Sequence, residues 1–594
     1  MLCKSGKTFA HRTKRIKANA FLFFQSLKIE RNGVFNLLDY LKNYLEENKI
    51  TEFGITGLSD DLLLPGYKFK EETKYRNVIV ILFPFLSEKL KENGGNLAKY
   101  ARLHDYHSVI SEFLGGLCGS LKERLGGNYK YFVDSSPLNE KLAGQKCGLG
   151  FIGKNGLLIN KKYGSGFFIA EILTDIEILP YSAGNGGGCG SCNLCEKSCP
   201  SGALSENGFE MKKCLSFISQ KKDGLTETEK KLIIKSGTVW GCDICSDVCP
   251  YSKNAGYTGF EPFLRIISPS LDLGGIMNSK EENPCFFRGK YPLLRNLNLI
   301  KTQGLDIGFA AAADKNELKK LFSESFDEPE SVADFYASLE GRECMVYRIN
   351  GEIISTVYIL FVKMKTEKGL KEGAVLSGIA TKKAHRNKKH MEILMGRVLE
   401  YLYEKKVEIV TLSTELPDFY KKYGFTSLTK ELSFSAEPKA APQISSDEKT
   451  AFSKPDRQDY PTTELCSLYD RFSEKYNLIV KRNFDDFLLK LKDYAACGYR
   501  LLILYRNNKP SAYAFFEVLA EKTDVIELVF TEKNDVFAVV GCLLSKYGKK
   551  AAGVLPCDFG SAEFFDEIKS VNSNLFLFTN KKYSVENGFG FDRY

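Results

Sequence analysis

Apolar and polar positions alternate along this chain of 594 residues with a period that changes from segment to segment. Phe35, Leu37, Leu38, Leu41, Tyr44 and Leu45 recur at helical spacing and predict a helix that opens the organised sequence near Val34. Val78–Phe83 is a continuous apolar run, the pattern of a strand buried on both faces. Lys99–Leu114 returns to the helical period, and Tyr131–Val133 and Gly164–Leu173 read as two further strands. Strands and helices in alternation predict an α/β domain over 34–184.

A second alternating pattern starts after residue 300. Leu305–Phe309 reads as a strand, Asn316–Glu324 as a helix, and Cys344–Arg348 and Glu352–Phe361 as strands around Asn350-Gly351, a strong hairpin signal. A helix at Glu392–Glu404 and a strand at Val407–Leu412 follow. Pro438, Pro442, Pro455 and Pro461 among Ser, Lys and Asp mark 436–463 as a linker. The order then repeats over 464–594: a helix at 464–475, strands at 500–505 and 511–518 around Asn507-Asn508, and the strand Asp524–Phe530 before a last helix. The pattern thus gives an α/β multidomain chain, divided at 1–33, 34–184, 185–255, 256–303, 304–435, 436–463 and 464–594. The restart after 300 predicts that 304–594 folds as a body of its own.

Size and charge narrow little. The length suggests about three to five domains at ~150 residues each. A formal charge of +9 is compatible with RNA without pointing to it. No apolar run reaches the ~18 residues of a membrane-crossing helix. Residues 1–33 carry Lys4, Lys7, Arg12, Lys14, Arg15 and Lys17 ahead of a short, interrupted apolar stretch. Without a small-x-small cleavage site this is read as an unstructured extension or an upstream misassigned start, and not a signal peptide, so the expected location is the cytoplasm.

Cysteine changes the picture. Eight of seventeen cysteines fall between Cys189 and Cys249. Cys189, Cys192, Cys195 and Cys199-Pro200 spell C-x2-C-x2-C-x3-C-P, the two-cluster ferredoxin pattern, in which the fourth cysteine ligates the other cluster. Cys242, Cys245 and Cys249-Pro250 form a run one ligand short, and Cys214 stands alone between them. The eight make two complete sets of four. Structural zinc also uses C-x2-C pairs, but three close cysteines followed by Cys-Pro are unusual for it. Disulfides would need an oxidising compartment. Two adjacent clusters carry electrons, so the chain should perform or relay redox chemistry.

These cysteines come with other motifs. Tyr100-Ala101-Arg102-Leu103-His104-Asp105-Tyr106-His107, Val133-Asp134-Ser135-Ser136-Pro137 and Gly148-Leu149-Gly150-Phe151-Ile152-Gly153-Lys154 together resemble the epoxyqueuosine reductase family over about 34–300. The resemblance implies an α+β cobalamin-dependent reductase domain with a ferredoxin-like insert. It implies two 4Fe-4S clusters, with Cys189, Cys192, Cys195 and Cys249 on one and Cys199, Cys214, Cys242 and Cys245 on the other. It implies removal of the epoxide oxygen of epoxyqueuosine in the anticodon loop of tRNA, and a low-potential electron donor such as flavodoxin or ferredoxin. It makes Asp134 the proton donor, with a pKa raised by burial. It also puts Tyr100, Arg102, Gly150 and Lys154 near the cobalamin. Read locally, Ser136-Pro137 is a helix start with Ser as N-cap, and Asp134 supports a turn. Gly148, Gly150 and Gly153 serve either turns or close approach to a planar cofactor. His104 and His107, three apart, fit a surface pair or a metal site. None of the five histidines lies in the Asp-x-His-x-x-Gly context that ligates cobalt. Many members of the family continue into a helical-repeat tail that grips tRNA; here the chain passes directly into another domain.

Ala374–Thr381, the helix after it and Asp418-Phe419-Tyr420-Lys421-Lys422-Tyr423-Gly424-Phe425 resemble a GNAT acetyltransferase domain over 304–435. The resemblance implies an acetyl-CoA pyrophosphate at the turn of Arg386, Lys388 and Lys389, and Tyr420 as the acid that protonates the thiolate. Lys389 and Met391 occupy positions that are normally Gly or Ala, which predicts weak binding of acetyl-CoA. Residues 464–594 resemble the second, non-catalytic GNAT-like half of the enhanced-intracellular-survival acetyltransferases. Two other readings stay open: an acetyltransferase whose iron–sulfur half senses redox state, and another cobalamin-dependent reductase of the same superfamily.

Overall fold

The computed structural model describes residues 37–579 except 68–74, 93, 179–186, 280–282, 428–429, 439–447, 458, 557–558, 560–564, 566 and 573–574. The N-terminal extension, 1–33, therefore lies outside the described residues. The chain divides into two compact units that do not follow residue order. The first holds residues up to Glu88, Tyr106–Cys192 and Cys249–Arg265; the second holds Lys89–Asp105, Asn193–Val248 and everything from Ile266 on.

The first unit opens with helix α1 (Leu37–Glu47) and is built on strands β1 (Phe53–Gly57) and β2 (Asn77–Pro84). Helix α2 (Tyr106–Leu125), β3 (Tyr129–Val133), helix α3 (Glu140–Lys146), the small hairpin β4 (Phe151–Ile152) and β5 (Leu158–Ile159), and β6 (Phe167–Thr174) follow. The sheet runs β1-β2-β6-β3, each pair antiparallel. β2 is buried along its whole length, as its unbroken apolar run requires. Val78, Val80 and Leu82 pack with Ala143 of α3 and with Leu149 and Leu158, while Phe83 meets Phe113 of α2 on the other face. Helix α2 begins only at Tyr106: Lys99–Arg102, read as part of one long helix, is a separate 3-10 turn.

After Lys89–Asp105, the second unit takes up the chain again in the cysteine-rich segment. Its helices are α4 (Leu194–Ser198), α5 (Leu215–Ser219), α6 (Glu227–Ser236) and α7 (Ile244–Asp247). Thr226 and Glu229 close a capping box on α6, and Gly237, at φ 65, ends it. Helix α8 (Tyr291–Lys301) then sits against both neighbours. The Asn296 amide donates to the carbonyls of Ser219 and Val239, at 2.8 Å each. The Asn298 amide donates to the Gly396 carbonyl at 2.8 Å and to the Glu400 carboxylate at 2.7 Å.

Beyond α8 come β7 (Asp306–Phe309), α9 (Lys315–Ser325), α10 (Glu330–Ala337), β8 (Glu343–Ile349), β9 (Glu352–Thr366), β10 (Gly369–Thr381), α11 (His390–Glu404), β11 (Ile409–Ser413), α12 (Pro417–Lys421), β12 (Thr426–Ser427) and β13 (Lys430–Ala436). The rest is β14 (Glu448–Ser453), α13 (Thr462–Ser473), β15 (Ile479–Lys481), α14 (Phe484–Ala496), β16 (Arg500–Arg506), β17 (Lys509–Val518), β18 (Lys522–Phe530), α15 (Lys533–Tyr547), β19 (Lys550–Leu555), β20 (Glu567–Asn572) and β21 (Leu575–Thr579).

Two sheets form, and they exchange strands. The first is ordered β12-β21-β11-β10-β9-β8-β7, with β15 also paired to β9; the second is β14-β16-β17-β18-β19-β13-β20. The last described strand thus completes the first sheet, and β13 sits inside the second. The segment read as a linker contributes β14, an edge strand on β16.

The described residues of 304–594 do not pack as a body of their own, contrary to the expectation from the pattern. Trp240, Leu293, Leu294 and Leu297 share one buried core with Met395, Val398, Leu399 and Leu402 of α11. Apolar periodicity reports that a face is buried, not what buries it, so the restart at 300 could not reveal this shared core.

Candidate active site

Asp134 lies one residue past the end of β3 with φ 57, a left-handed backbone that favours glycine. The Tyr106 hydroxyl donates to its carboxylate, and His107 Nε2 stands 3.5 Å from the same oxygen. Tyr106 is held in turn by stacking on Phe168 (centroids 3.9 Å apart) and on His107 (4.1 Å). His107 therefore serves the carboxylate, which the alternatives of surface pair or metal site had not anticipated. Asp134 is not buried: its side chain is 43% exposed, because it sits on a turn beyond the edge of the sheet. Ser136-Pro137 does not start a helix. The Ser136 hydroxyl accepts from Leu138 N within a turn, and α3 is capped by Asn139, whose side chain accepts from Leu142 N.

Two further carboxyls stand within electrostatic reach of Asp134. Glu171, on β6, is buried at 1% exposure; burial, with the charges of Glu140 and Asp134, pushes it up to about 7 against a hydrogen bond from Ser136. Burial and the charge of Asp134 push Glu140 up to about 7 as well. One oxygen of Glu171 has no partner among the described residues. The motifs did not single out these two. A lone acid inside the apolar strand Phe167–Thr174 was the available signal.

The other expected cofactor neighbours divide. Lys154 lies at the first cysteine run: its N–H points at Cys189 Sγ (3.4 Å), and its ammonium donates to the Cys192 carbonyl at 2.9 Å. At Gly150 a side chain would strike the Ile159 carbonyl, so the local hairpin calls for glycine there. Tyr100 accepts a hydrogen bond from the Trp240 indole at 3.0 Å. Arg102 is buried and turned onto the Leu97 carbonyl, which it reaches at 2.8 and 2.6 Å, bracing its own turn.

Cys249 is buried beside Cys189, Phe151 and Ile159. Cys199, Cys214, Cys242 and Cys245 lie within electrostatic reach of one another, with Cys195 acting on Cys245. Burial acts to raise the Cys199 thiol, but hydrogen bonds from Ser201, Leu204 and Ala203 outweigh it and hold the thiol below its usual range. A sulfur cradled by N–H donors is what a cluster thiolate requires. Among the described residues no three side chains converge on a single metal ion. No described helix is long and apolar enough to cross a membrane.

In the second unit, β10 and β11 pair in parallel from Gly373↔Ile409 to Leu376↔Leu412 and then part, β10 running on to Thr381. The turn after β10 leads into α11. Asn387 and Lys389 both adopt φ 63, so Lys389 takes the conformation a glycine would supply there. Arg386 donates from Nε to the Thr381 carbonyl at 3.1 Å, while Lys388 is exposed. Both ring nitrogens of His390 and Nδ1 of His385 are buried without partners among the described residues. Burial, with His385 and Lys388 nearby, holds His390 below its usual pKa and so neutral. Tyr420 on α12 is buried, which pushes its phenol up to about 12 and keeps it protonated.

Comparison with known proteins places both halves. Residues 72–135 match the family model described as epoxyqueuosine reductase QueG, DUF1730; residues 188–252 match a 4Fe-4S double cluster binding domain; residues 306–428 match an acetyltransferase (GNAT) domain. An epoxyqueuosine reductase of Cyclobacterium marinum is 34% identical over 239 residues, 39% of this chain and 74% of that protein. That of Listeria monocytogenes is 33% identical over 260 residues, 41% of this chain and 67% of that protein. The match to the Aliivibrio fischeri enzyme, at 35% identity, spans 49% of its length. The reductase of Streptococcus thermophilus superposes with a TM-score of 0.39 at 22% identity over 52% of this chain and 91% of that one. Eis1 of Mycobacterium abscessus does so with a TM-score of 0.36 at 15% identity over 46% and 73%. An iron–sulfur oxidoreductase carrying a GNAT module is the class these matches define. The chain belongs to the epoxyqueuosine reductase family.

Proposed function

We propose that the chain removes the epoxide oxygen of epoxyqueuosine in tRNA, using two electrons and two protons to leave an alkene and water. The observation that carries this reading is the carboxyl of Asp134, fixed by Tyr106 and His107, in a chain where Cys199, Cys214, Cys242 and Cys245 also lie within electrostatic reach of one another. Cys189, Cys192, Cys195 and Cys249 hold one 4Fe-4S cluster, and Cys199, Cys214, Cys242 and Cys245 hold the other. The N–H donors around Cys199 and Cys189 support this fit. A cobalamin, when bound, supplies the low-potential two-electron chemistry at carbon. Asp134 delivers a proton to the departing oxygen. Glu140 and Glu171, half-protonated near neutral pH, restock Asp134 for the second proton. The electrons enter from a donor such as flavodoxin or ferredoxin, and the tRNA presents its modified base from a single-stranded anticodon loop.

The GNAT module supports a second reading, acetyl transfer, carried by the parting of β10 and β11 above a turn of positive-φ residues. The unpartnered nitrogens of His385 and His390 suit a phosphate-bearing ligand there, with Arg386, Lys388 and Lys389 as its charges and Tyr420 as the acid.

The deciding experiment is anaerobic purification, with iron, sulfide and corrinoid counted per chain and single-turnover assay on tRNA carrying epoxyqueuosine. The reading expects eight iron atoms, from two four-iron clusters, one corrinoid and formation of queuosine. Protein with both clusters, bound corrinoid and no turnover on this tRNA would overturn the substrate and leave the reductase class standing.

A further inference from the structure

The acetyltransferase-like module buries a charge that has no counterpart among the described residues. Arg342 ends the turn between α10 and β8 and is 8% exposed. None of its three guanidinium nitrogens has a hydrogen-bond partner among the described residues. Its surroundings are aromatic: the Tyr336 ring lies 4.2 Å from the guanidinium carbon and the Phe335 ring 4.5 Å. Such contacts offset part of the desolvation but leave every N–H donor unfilled. A carboxylate that bears on the same Tyr336, Asp493, is held by Lys490 at 3.0 Å. A buried, unpaired cation is among the most costly groups a fold can keep.

The turn also fixes where this cation points. Leu339 has φ 58 and Gly341 φ 68, and a side chain at Gly341 would strike Leu489 of α14. Left-handed backbone at a leucine is strain of the kind that persists at ligand clamps. Tyr336 also shares a hydrogen bond with Ser377. Ser377 directly follows Leu376, the last residue of β10 to pair with β11. Tyr336 therefore touches both the Arg342 guanidinium and the residue at which the two strands part.

We propose that Arg342 is a binding residue for the carboxylate of a small amine, an amino acid, held beside the parting of β10 and β11. A planar fork of N–H donors fits the two oxygens of a carboxylate. A phosphate dianion would call for more positive charge than one guanidinium, and Lys490 is already engaged. The ligand's amine would then lie toward Ser377, where the acetyl group of acetyl-CoA would be presented. Only this last point rests on the acetyl-transfer reading; carboxylate binding does not.

The test uses the full chain without acetyl-CoA. The twenty L-amino acids, each beside its α-amide, are titrated by calorimetry and thermal shift, with inorganic phosphate as a third arm. The expected result is an amino acid whose amide binds at least about tenfold more weakly, with that discrimination lost in Arg342→Gln and partly kept in Arg342→Lys. Arg342→Met, which keeps the stacking and removes the buried charge, should raise the melting temperature of the ligand-free protein. A lower melting temperature for Arg342→Met would make the guanidinium structural and overturn the proposal. Equal binding of acid and amide, no binding by any amino acid, or phosphate binding as tightly would overturn it too. A separate titration with acetyl-CoA tests the acetyl-transfer reading, so failure of one does not pass for failure of the other.

Discussion

Asp134 is held in a backbone conformation that costs a residue with a side chain about 1–3 kcal/mol, and it is held there by Tyr106 and His107. Asparagine tolerates the left-handed region as well as aspartate does. Asp134→Asn should therefore keep both clusters and the fold while queuosine formation falls by about a hundredfold or more, as measured in single turnover. Glu171 gives a pH signature. Its carboxyl is raised from 4.5 to about 7, so the stability it contributes is fully present below pH 4.5 and is lost as pH rises through 7. The shift is worth ~3 kcal/mol at most. Urea melts of the wild type should weaken between pH 5 and pH 8, and Glu171→Gln should flatten that slope and be the more stable protein at pH 8. The spacing of the cysteines and the short motif around Tyr106 and Asp134 were legible without coordinates, because ligands and turns act over a few residues. Glu171 and Arg342 were not. What makes each of them unusual is burial by segments distant in the chain, which no local pattern reports.

Among the elements, the turn between β10 and α11 shows what a sequence departure does and does not change. Lys389 replaces the expected glycine yet adopts φ 63, so the backbone keeps its path and the substitution appears as strain and a Cβ. Lys389→Gly removes both. It should leave stability within about 1 kcal/mol, since relief of strain opposes the greater freedom of glycine in the unfolded chain. It should also tighten acetyl-CoA binding by roughly tenfold in calorimetry, as N–H groups come within reach of the pyrophosphate. Unchanged affinity would place the obstacle at Met391. Helices and strands with a clear period were legible to within a few residues: β8, β9 and α11 lie where their apolar spacing put them. The strand exchange was not, because the pairing of β21 with β11 joins segments more than a hundred residues apart, and a strand's own pattern says nothing of its neighbour.

For the whole molecule, helix α8 decides what can be separated from what. Its Asn296 fastens the cysteine-rich segment and its Asn298 fastens α11, two residues apart on one short rod. A fragment starting at residue 304 would expose the face of Val398, Leu399 and Leu402 that Leu294 and Leu297 cover. Such a fragment should aggregate when expressed alone and dissolve when it starts instead before α8 at residue 266. The same geometry bears on a chain already folded. Gly304 lies with φ 74 at the joint between α8 and β7. A protease site built there should yield two pieces on a denaturing gel and one peak on a sizing column. The fusion then behaves less like two enzymes on a leash than like a mortise joint: the peptide bond brought the parts together, and once they are seated it can be cut without the joint coming apart.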